Sequence, residues 1–336
     1  MGNCNCYGPP AGSSFAMNRR FALLQALVSL VALAAVVWWA SKQEAPHLPT
    51  GGDALVWIAA GMALYVVATL VRAERWHQIL QHTGVHTKRV DCYALTTVGY
   101  MGNNVLPARA GEALRVVLMA PRCDASKRTL ISSIVAERVL DVIALLTIFV
   151  VTVYGVLNTA DVLPTDRPLL VTSIGLLLLL AGAIAIWVLR KHSFFERVRD
   201  WLRPLADSPR ALVSRWGLVL LAGTFLLWTI EGSVYWTIAR AVDMDISMSG
   251  ALYLVALTNF VAALPAAPGS LGTFDAAVAW GAHRLGASGS VALSYVILIR
   301  FVLYVPITIV GLVMLVTRYG GWSRLRSATR LEASRA

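Results

Sequence analysis

Three stretches of this sequence are apolar, uncharged and long enough to cross a bilayer as helices, and no other feature constrains the fold as strongly. They cover Phe21–Ala40, Ala54–Val71 and Pro168–Leu189. A crossing helix needs about 20 apolar residues to span the roughly 30 Å of hydrocarbon. The chain is 57% hydrophobic and only 14% charged, a balance typical of a protein whose solvent is lipid.

Three further apolar stretches are interrupted by ionisable residues. They are Val142–Leu157 with an extension from about Ser132, Trp216–Ala239 with Glu231, and Ser288–Thr317 with Arg300. Together with the uncharged stretches they predict six full crossings. We therefore expect an all-α polytopic membrane protein.

The distribution of basic residues predicts the orientation of these crossings. Of the 29 Lys and Arg residues, 23 fall before the first span, after the second, between Arg109 and Arg128, between Arg190 and Arg215, or after Thr317. The alternate connections hold only four. Because cytoplasmic loops carry the excess of Lys and Arg, we expect a bacterial inner (plasma) membrane protein with both termini in the cytoplasm. Cations spread among loops do not predict nucleic-acid binding.

Two other apolar segments are too rich in Gly, Pro and Asn to be simple crossing helices. They cover about residues 91–120 and 250–283. Basic stretches flank both ends of the first, so we expect it to enter the membrane from the cytoplasm and return there. The second should be re-entrant from the outside. Both contain Leu-Pro-Ala-x-x-Gly, at residues 106–111 and 264–269.

This repeated pattern divides the membrane region into two halves. We expect one repeat over residues 17–157 and another over 158–317, preceded by a disordered tail or overlong start at 1–16 and followed by a basic cytoplasmic tail at 318–336. Because each half has three crossings, an odd number, we expect the second copy to lie upside down in the membrane relative to the first. Inverted repeats with interrupted helices are typical of transporters whose substrate binds near the midplane.

Three ordered motifs resemble those of a known family. They are Asn-x-x-Leu-Pro-x-Arg-x-Gly-Glu at residues 103–112, Glu-Arg-x-x-Asp at 137–141, and Pro-x-x-Pro-Gly-x-x-Gly followed by an acidic residue at 265–275. Over about residues 20–317 the sequence resembles the membrane domain of the lysylphosphatidylglycerol synthase and flippase family. The family has Glu at the last acidic position, where this chain has Asp275.

The resemblance implies lipid translocation and leaves the lipid open. Family members that synthesise lysylphosphatidylglycerol carry a soluble aminoacyl-transfer domain after the membrane region. Residues 318–336 are too short for such a domain. We therefore expect the flippase activity without aminoacyl transfer, acting on an anionic phospholipid or a lipid-linked glycan.

Ionisable and amide side chains inside the membrane are the candidates for substrate binding, because each is costly there without a partner. The arginines could hold a phosphate, and half-helices beginning after Pro107 and Pro268 would direct free N–H groups at it. The candidate binding residues are Asn103, Asn104, Arg109, Gly111, Glu112, Arg138, Asp141, Gly269, Ser270, Asp275 and Arg300. Glu231 is a candidate coupling acid.

A purely structural interpretation of the same residues stays open. Arg138 and Asp141 are three residues apart and share a helix face, and Glu112 could reach Arg115 or Arg109. The functional hypothesis predicts instead that Arg109, Arg138 and Arg300 converge on one anionic headgroup.

Two other functions remain as alternatives. One is an integral-membrane transferase acting on a polyprenyl-phosphate-linked sugar, and the other is a non-catalytic membrane subunit that partners a lipid or polysaccharide synthase. The sequence contains none of the common hydrolase, metalloprotease or phosphate-loop motifs. His77, His82 and His86 are expected on a solvated loop, and the four cysteines lack metal-site spacing. We therefore expect no cofactor and no metal, and the oligomeric state is left open.

Overall fold

The computed structural model describes residues 19–46, 51–106, 109–156, 215–263 and 267–321. The third uncharged span, Pro168–Leu189, lies outside these residues. So do the basic stretch that precedes Arg215, the predicted tail at 1–16 and residues 322–336. Residues 318 and 319, which the sequence placed in the C-terminal tail, continue the last helix.

All regular structure in the described ranges is helical. The helices are α1 Arg19–Ala40, α2 Gly52–His82, α3 Arg89–Val105, α4 Gly111–Met119, α5 Lys127–Val150, α6 Arg215–Ala241, α7 Met248–Ala263, α8 Thr273–Arg284 and α9 Gly289–Tyr319. A π-helical turn, Val151–Val156, continues α5. Among these helices α2, α6 and α9 are long and apolar enough to cross a membrane.

Helices α2 and α6 pack side by side in opposite directions. Near the start of α2, Gly61 lies against Thr237 and Ile238 in the last turns of α6. At the other end, the His82 ring stacks on Trp216 with 3.8 Å between ring centroids. Their outer faces expose large apolar side chains such as Val66 and Val219. Contiguous exposed apolar surface of this kind suits contact with lipid.

The first broken segment folds as a helical hairpin of α3 and α4. Gly102 on α3 lies against Gly111 at the start of α4, and Gly99, one turn earlier, lies against Arg115. The two helices, one ending at Val105 and the other beginning at Gly111, therefore run in opposite directions. Both ends of this segment lie at the same end of the molecule, where Arg318 of α9 pairs with Asp91.

The second broken segment forms a similar hairpin of α7 and α8. Gly281 on α8 lies against Leu254 and Leu257 on α7, while Gly250 at the start of α7 lies against Leu285 just after α8. A 3₁₀ turn, Pro268–Ser270, lies within the break. This hairpin also turns back to the end of the molecule from which it started.

Helix α9 packs against both hairpins and so determines where they lie relative to each other. Its 31 residues give a length of about 46 Å at 1.5 Å per residue. The first hairpin packs along its C-terminal half, where Gly311 contacts Met101. The second packs along its N-terminal half, where Arg300 pairs with Asp275. The hairpins therefore approach from opposite ends of α9, and their turns meet beside its middle.

Replacing Gly111 by Ala is expected to destabilise the first hairpin. A Cβ at residue 111 would lie 1.9 Å from the Gly99 carbonyl oxygen and 2.6 Å from the Asn103 backbone nitrogen, so one helix must shift. Overpacking of this kind costs about 1–3 kcal/mol or more. The thermal midpoint of the detergent-purified protein measures the loss.

Gly223→Ala is the matched control, because a Cβ at residue 223 of α6 has no neighbour within 4 Å. Ala is also the better helix former. Equal thermal midpoints for the two variants would contradict the close packing of α3 on α4.

Candidate functional site

A cavity of about 320 Å³ lies where the two hairpin turns meet. Its walls come from both turns and from helices α2 to α9. The charged side chains that line it are Arg72, Arg109, Glu112, Arg138 and Glu231. Since the hairpins reach this point from opposite ends of α9, the cavity lies at mid-depth in the helical assembly.

Arg72 of α2 and Glu231 of α6 form a buried ion pair at one wall of the cavity. The Arg72 guanidinium also lies between two aromatic rings, 5.2 Å from the centroid of Tyr100 and 5.3 Å from that of Trp228. Cation–π contacts of this kind hold a desolvated guanidinium. The pair thus joins the two antiparallel helices across the cavity wall.

Arg138 of α5 forms ion pairs both with the first hairpin and within its own helix. Its Nε lies 3.4 Å from Glu112 Oε1, and its Nη1 lies 3.4 Å from Asp141 Oδ2. The pairing with Asp141 confirms the contact that their spacing predicts. The partner of Glu112 is Arg138, however, and not Arg115 or Arg109, because α4 packs directly beside α5.

Arg109 occupies the turn of the first hairpin, with a left-handed backbone φ of 52°. A side chain is strained in this region unless its surroundings hold it. Its guanidinium donates a hydrogen bond of 2.9 Å to the carbonyl oxygen of Ala262, at the turn of the second hairpin. Of the described carboxylates none lies within 4.0 Å of this guanidinium. Arg109 therefore links the two hairpin tips and keeps an uncompensated charge beside the cavity.

A second layer of ion pairs lies beneath the cavity. Arg75 Nη1 of α2 donates to Asp141 Oδ1 at 2.7 Å and to Thr224 Oγ1 at 3.0 Å. Glu137 lies 3.8 Å from Arg75 and 2.9 Å from Arg115. These ionisable side chains are almost fully buried. Buried charges are tolerated only when paired in this way.

Sequence reasoning missed Arg72 and Arg75, which it assigned to a cytoplasmic connection after Val71. Helix α2 continues to His82 instead, and His77 is buried beside Thr87 and Cys92 rather than on a solvated loop. The apolar residues Trp76, Ile79 and Leu80, which continue the helical pattern, were the available signal. Four of the 23 cations counted on the cytoplasmic side, Arg72, Arg75, Arg109 and Arg115, lie within the helical assembly and not in loops. Without them 19 cations remain on that side, against four on the other, so the predicted orientation is unchanged.

Arg300 lies behind the cavity wall rather than at the cavity. Its Nε pairs with Asp275 Oδ1 at 2.5 Å, and its Nη1 donates to the Gly269 carbonyl at 3.3 Å. The guanidinium lies 4.6 Å from the ring centroid of Tyr304, which lines the cavity. The structure therefore brings Arg109 and Arg138 to the cavity but not Arg300.

The second half-helix begins later than the sequence predicted. Pro268 opens the short 3₁₀ turn, and α8 begins at Thr273. Asp275 accepts a hydrogen bond of 2.9 Å from the Gly272 N–H, so this side chain caps α8 itself. An anionic ligand at this helix start would meet the Asp275 carboxylate. The predicted phosphate site near Ser270–Gly272 therefore lacks the free helix terminus that it needs.

Some of the predicted amide and glycine residues support contacts between helices, and others line the cavity. Asn104 donates 2.9 Å to Thr308 Oγ1 of α9 and Gly111 supports the α3–α4 contact. Asn103, Gly269 and Ser270 line the cavity, and so does Asn104. Gly269 and Ser270 have φ values of 64° and 49°, so the second turn, like the first, holds its backbone in the left-handed region.

The remaining walls are largely aromatic, and two polar atoms in them lack partners. The aromatic lining residues are Tyr65, Tyr100, Trp228, Tyr235, Phe274 and Tyr304. Trp228 is only 4% exposed. Its Nε1 and the Asn103 Oδ1 are buried without a hydrogen-bond partner in the described part of the chain. Both atoms are closed to the cavity as well as to solvent, so they belong to the packed wall and not to its open surface.

The described residues include no group of three or more His, Cys, Asp or Glu that could hold a metal ion. The carboxylates at the cavity are instead paired with arginines. The cavity offers a ligand the guanidinium of Arg109, which has no carboxylate partner among the described residues, and a set of aromatic faces. This combination suits a polar anionic group.

Comparison with known proteins agrees with the motifs. The family model described as the lysylphosphatidylglycerol synthase TM region matches residues 23–311. The chain belongs to this family. The match includes both hairpins, the cavity and the ion pairs beneath it. Membership makes this a membrane protein of a lipid-related family.

Two curated relatives are distant in sequence. A UPF0104 membrane protein of Methanothermobacter thermautotrophicus is 21% identical over 312 residues, covering 85% of this chain and 92% of the relative. The glycosyltransferase AglD of Haloferax volcanii is 24% identical over 297 residues, covering 75% of this chain but only 47% of AglD. No solved structure matches the chain.

Proposed function

We propose that this protein moves an anionic or glycosylated lipid between the two leaflets of the inner membrane, with the headgroup passing through the cavity between the hairpin tips. The observation that carries the proposal is the meeting of two hairpins from opposite ends of α9 around Arg109, a cation without a carboxylate partner among the described residues. A lipid phosphate would supply the missing negative charge.

The architecture that we propose for this activity is an inverted repeat of six crossings. In it the α3–α4 hairpin of the first half corresponds to the α7–α8 hairpin of the second. Alternating access would then open the cavity to one leaflet beside the first hairpin and to the other leaflet beside the second. The lipid tails would remain in the bilayer while only the headgroup entered the cavity.

Arg109 connects headgroup binding to the contact between the hairpins. Its guanidinium donates to the Ala262 carbonyl across the two tips. A phosphate is a stronger acceptor than a neutral carbonyl, so a bound headgroup draws the guanidinium away from Ala262. The tips are then free to separate, and separation is the step that alternating access requires.

Orientation is tested by cysteine labelling in a background that lacks all four native cysteines. Asp245, whose side chain is 95% exposed, lies at the end that we assign to the outside, and a cysteine there should react with an impermeant reagent in intact cells. A cysteine at exposed Asp124, which follows the first hairpin, should react only after the membrane is opened. The reverse pattern would contradict the orientation.

Transbilayer movement is tested with the purified protein in lipid vesicles. Labelled lipids from the native membrane should become accessible in the second leaflet only when the protein is present, and mass spectrometry should recover them chemically unchanged. Intact, folded protein that moves none of these lipids would contradict the proposal.

A membrane transferase acting on a polyprenyl-phosphate-linked sugar is the second candidate, because the chain is 24% identical to part of glycosyltransferase AglD. Such an enzyme would need a carboxylate to act as base, and Glu112 and Glu231 would each have to leave an arginine to do so. Recovery of a chemically altered lipid from the vesicles would favour this candidate over transport.

A further inference from the structure

Pro306 lies in the interior of α9, the helix against which both hairpins pack. Proline has no backbone N–H, so the carbonyl of Val302 lacks its usual helical donor, and the proline ring also crowds that carbonyl. Sharp bends in helices are found at such positions. Helix α9 therefore has a weak point near its middle, and Tyr304, two residues before the proline, lines the cavity.

The part of α9 that precedes Pro306 packs with the second hairpin. Arg300 pairs with Asp275 of α8, and the Tyr304 ring lies edge-on to Phe274 with 5.4 Å between ring centroids. The buried residues of this part share one apolar core with α7 and α8. On α9 they are Ala292, Tyr295, Val296, Ile299, Val302 and Leu303.

The part of α9 that follows Pro306 packs with the first hairpin. Thr308 accepts a hydrogen bond of 2.9 Å from Asn104, at the end of α3. Further along the helix, a second apolar core joins α9 to α3 and α4, and α9 contributes Leu315 and Tyr319 to it. Ile307, directly after the proline, still packs in the core of the second hairpin. The contacts of α9 thus change from one hairpin to the other within about one turn of Pro306.

The two hairpins also touch each other at this level of α9. A Cβ at Gly269, in the second turn, would lie 3.2 Å from the Asn104 carbonyl oxygen and 3.4 Å from the Tyr304 ring. The Asn104 amide lies 3.5 Å from the Tyr304 carbonyl oxygen. Bending of α9 at Pro306 would therefore change the contact between the hairpins and move a wall of the cavity at the same time.

Resting on the proposed function, we infer that Pro306 is the hinge of α9, about which the two hairpins tilt relative to each other during transport. Each hairpin keeps its own half of the helix, and the weak point lies where the halves meet. Hinge movements of this kind need only a few residues that absorb the change of backbone angles. Pro306 acts by positioning the hairpins and does not itself contact the ligand.

Pro306→Ala and Pro306→Gly test the hinge, because both restore the N–H but only Gly keeps the helix flexible. In vesicles with equal amounts of reconstituted protein, Pro306→Ala should move lipid at least about tenfold more slowly than wild type, and Pro306→Gly should stay within about threefold of it. Thermal midpoints should follow the opposite order, with Pro306→Ala at or above wild type and Pro306→Gly below Pro306→Ala.

Val305→Ala is the control, because Val305 is an exposed neighbour on the same helix and its replacement leaves the backbone hydrogen bonds unchanged. It should move lipid at the wild-type rate. Movement by Pro306→Ala at the wild-type rate would overturn the inference. So would rates that rise and fall with the thermal midpoints of the two proline variants, since a purely structural role predicts that order.

Distances between two spin labels test the hinge without measuring transport. The labels are placed on cysteines at Asp124, an exposed position after the first hairpin, and at Asp245, an exposed position before the second. The background lacks the native cysteines. In lipid nanodiscs the wild type should show more than one distance, and Pro306→Ala should show one. A single distance in the wild type, or an unchanged distribution in Pro306→Ala, would overturn the inference.

The inference and the proposed function fail in different ways. Several distances in the wild type that become one in Pro306→Ala, without lipid movement by either protein, support the hinge and contradict transport. Lipid movement that is equally fast in wild type and Pro306→Ala supports transport and overturns the hinge.

Discussion

Replacement of Arg109 by Gln is expected to reduce transbilayer lipid movement by about 100-fold or more while leaving the protein folded. Arg109 makes one hydrogen bond to a carbonyl and no ion pair with a described carboxylate, so its removal leaves no buried charge behind. Two charge-assisted hydrogen bonds to a phosphate would be lost, each contributing about 1.5–3 kcal/mol. Vesicle assays at equal amounts of reconstituted protein measure the effect.

Arg240→Gln is the matched control for charge removal. Arg240 lies at the end of α6, where it pairs with the exposed Asp245 at 3.1 Å. Exposed pairs of this kind contribute about 0–1 kcal/mol, so both stability and lipid movement should stay near wild type. If Arg109→Gln moves lipid as fast as Arg240→Gln does, Arg109 does not bind the headgroup.

Replacement of Arg72 by Met is expected to destabilise the protein by about 3–5 kcal/mol, because it leaves Glu231 buried without its partner. Glu231→Leu should cost a similar amount by stranding Arg72 between Tyr100 and Trp228. The double variant Arg72→Met/Glu231→Leu should recover most of the loss, since apolar side chains replace both charges. Thermal midpoints in detergent measure all three.

If the double variant loses as much stability as the two single variants together, the Arg72–Glu231 pair is contradicted. The same variant addresses Glu231 as a coupling acid, a role that remains a prediction. A folded double variant that still moves lipid would show that Glu231 is needed for stability alone.

Local sequence features predicted the two interrupted segments well. Pro107 is unfavourable in a helix interior, and Pro268, Gly269 and Gly272 interrupt the second segment in the same way. In the structure each becomes a helical hairpin. The glycines also explain why the first hairpin is tight, since a Cβ at Gly99, Gly102 or Gly111 would clash between α3 and α4.

Charge partners could not be predicted in the same way, because they come from helices distant in sequence. Arg72 and Glu231 are 159 residues apart, and nothing local distinguishes Arg72 from a loop cation that follows a span. Glu112 was within reach of Arg109 and Arg115 by sequence alone, yet the packing of α4 on α5 gives it Arg138. Only the spacing of Arg138 and Asp141 on one helix was a local signal.

For Arg300 the expected need for a negatively charged partner was correct, but the expected location at the cavity was wrong. A guanidinium at membrane depth does need a partner, and the sequence hypothesis supplied a headgroup phosphate. In the structure Asp275 is that partner, and it caps α8 at the same time. Under the proposed function Arg109 and Arg138 contact the ligand, while Arg300 packs behind Phe274 and Tyr304.

Photo-crosslinking in native membranes tests most directly whether a lipid headgroup occupies the cavity. A p-azidophenylalanine is placed at Tyr304, which lines the cavity, and in a second protein at Val313, an exposed lipid-facing residue of α9. Residue 304 should capture a phosphate-containing lipid and Arg109→Gln should abolish this capture, while capture at 313 should be unaffected. No capture at residue 304, or capture that persists unchanged in Arg109→Gln, would contradict headgroup binding in the cavity.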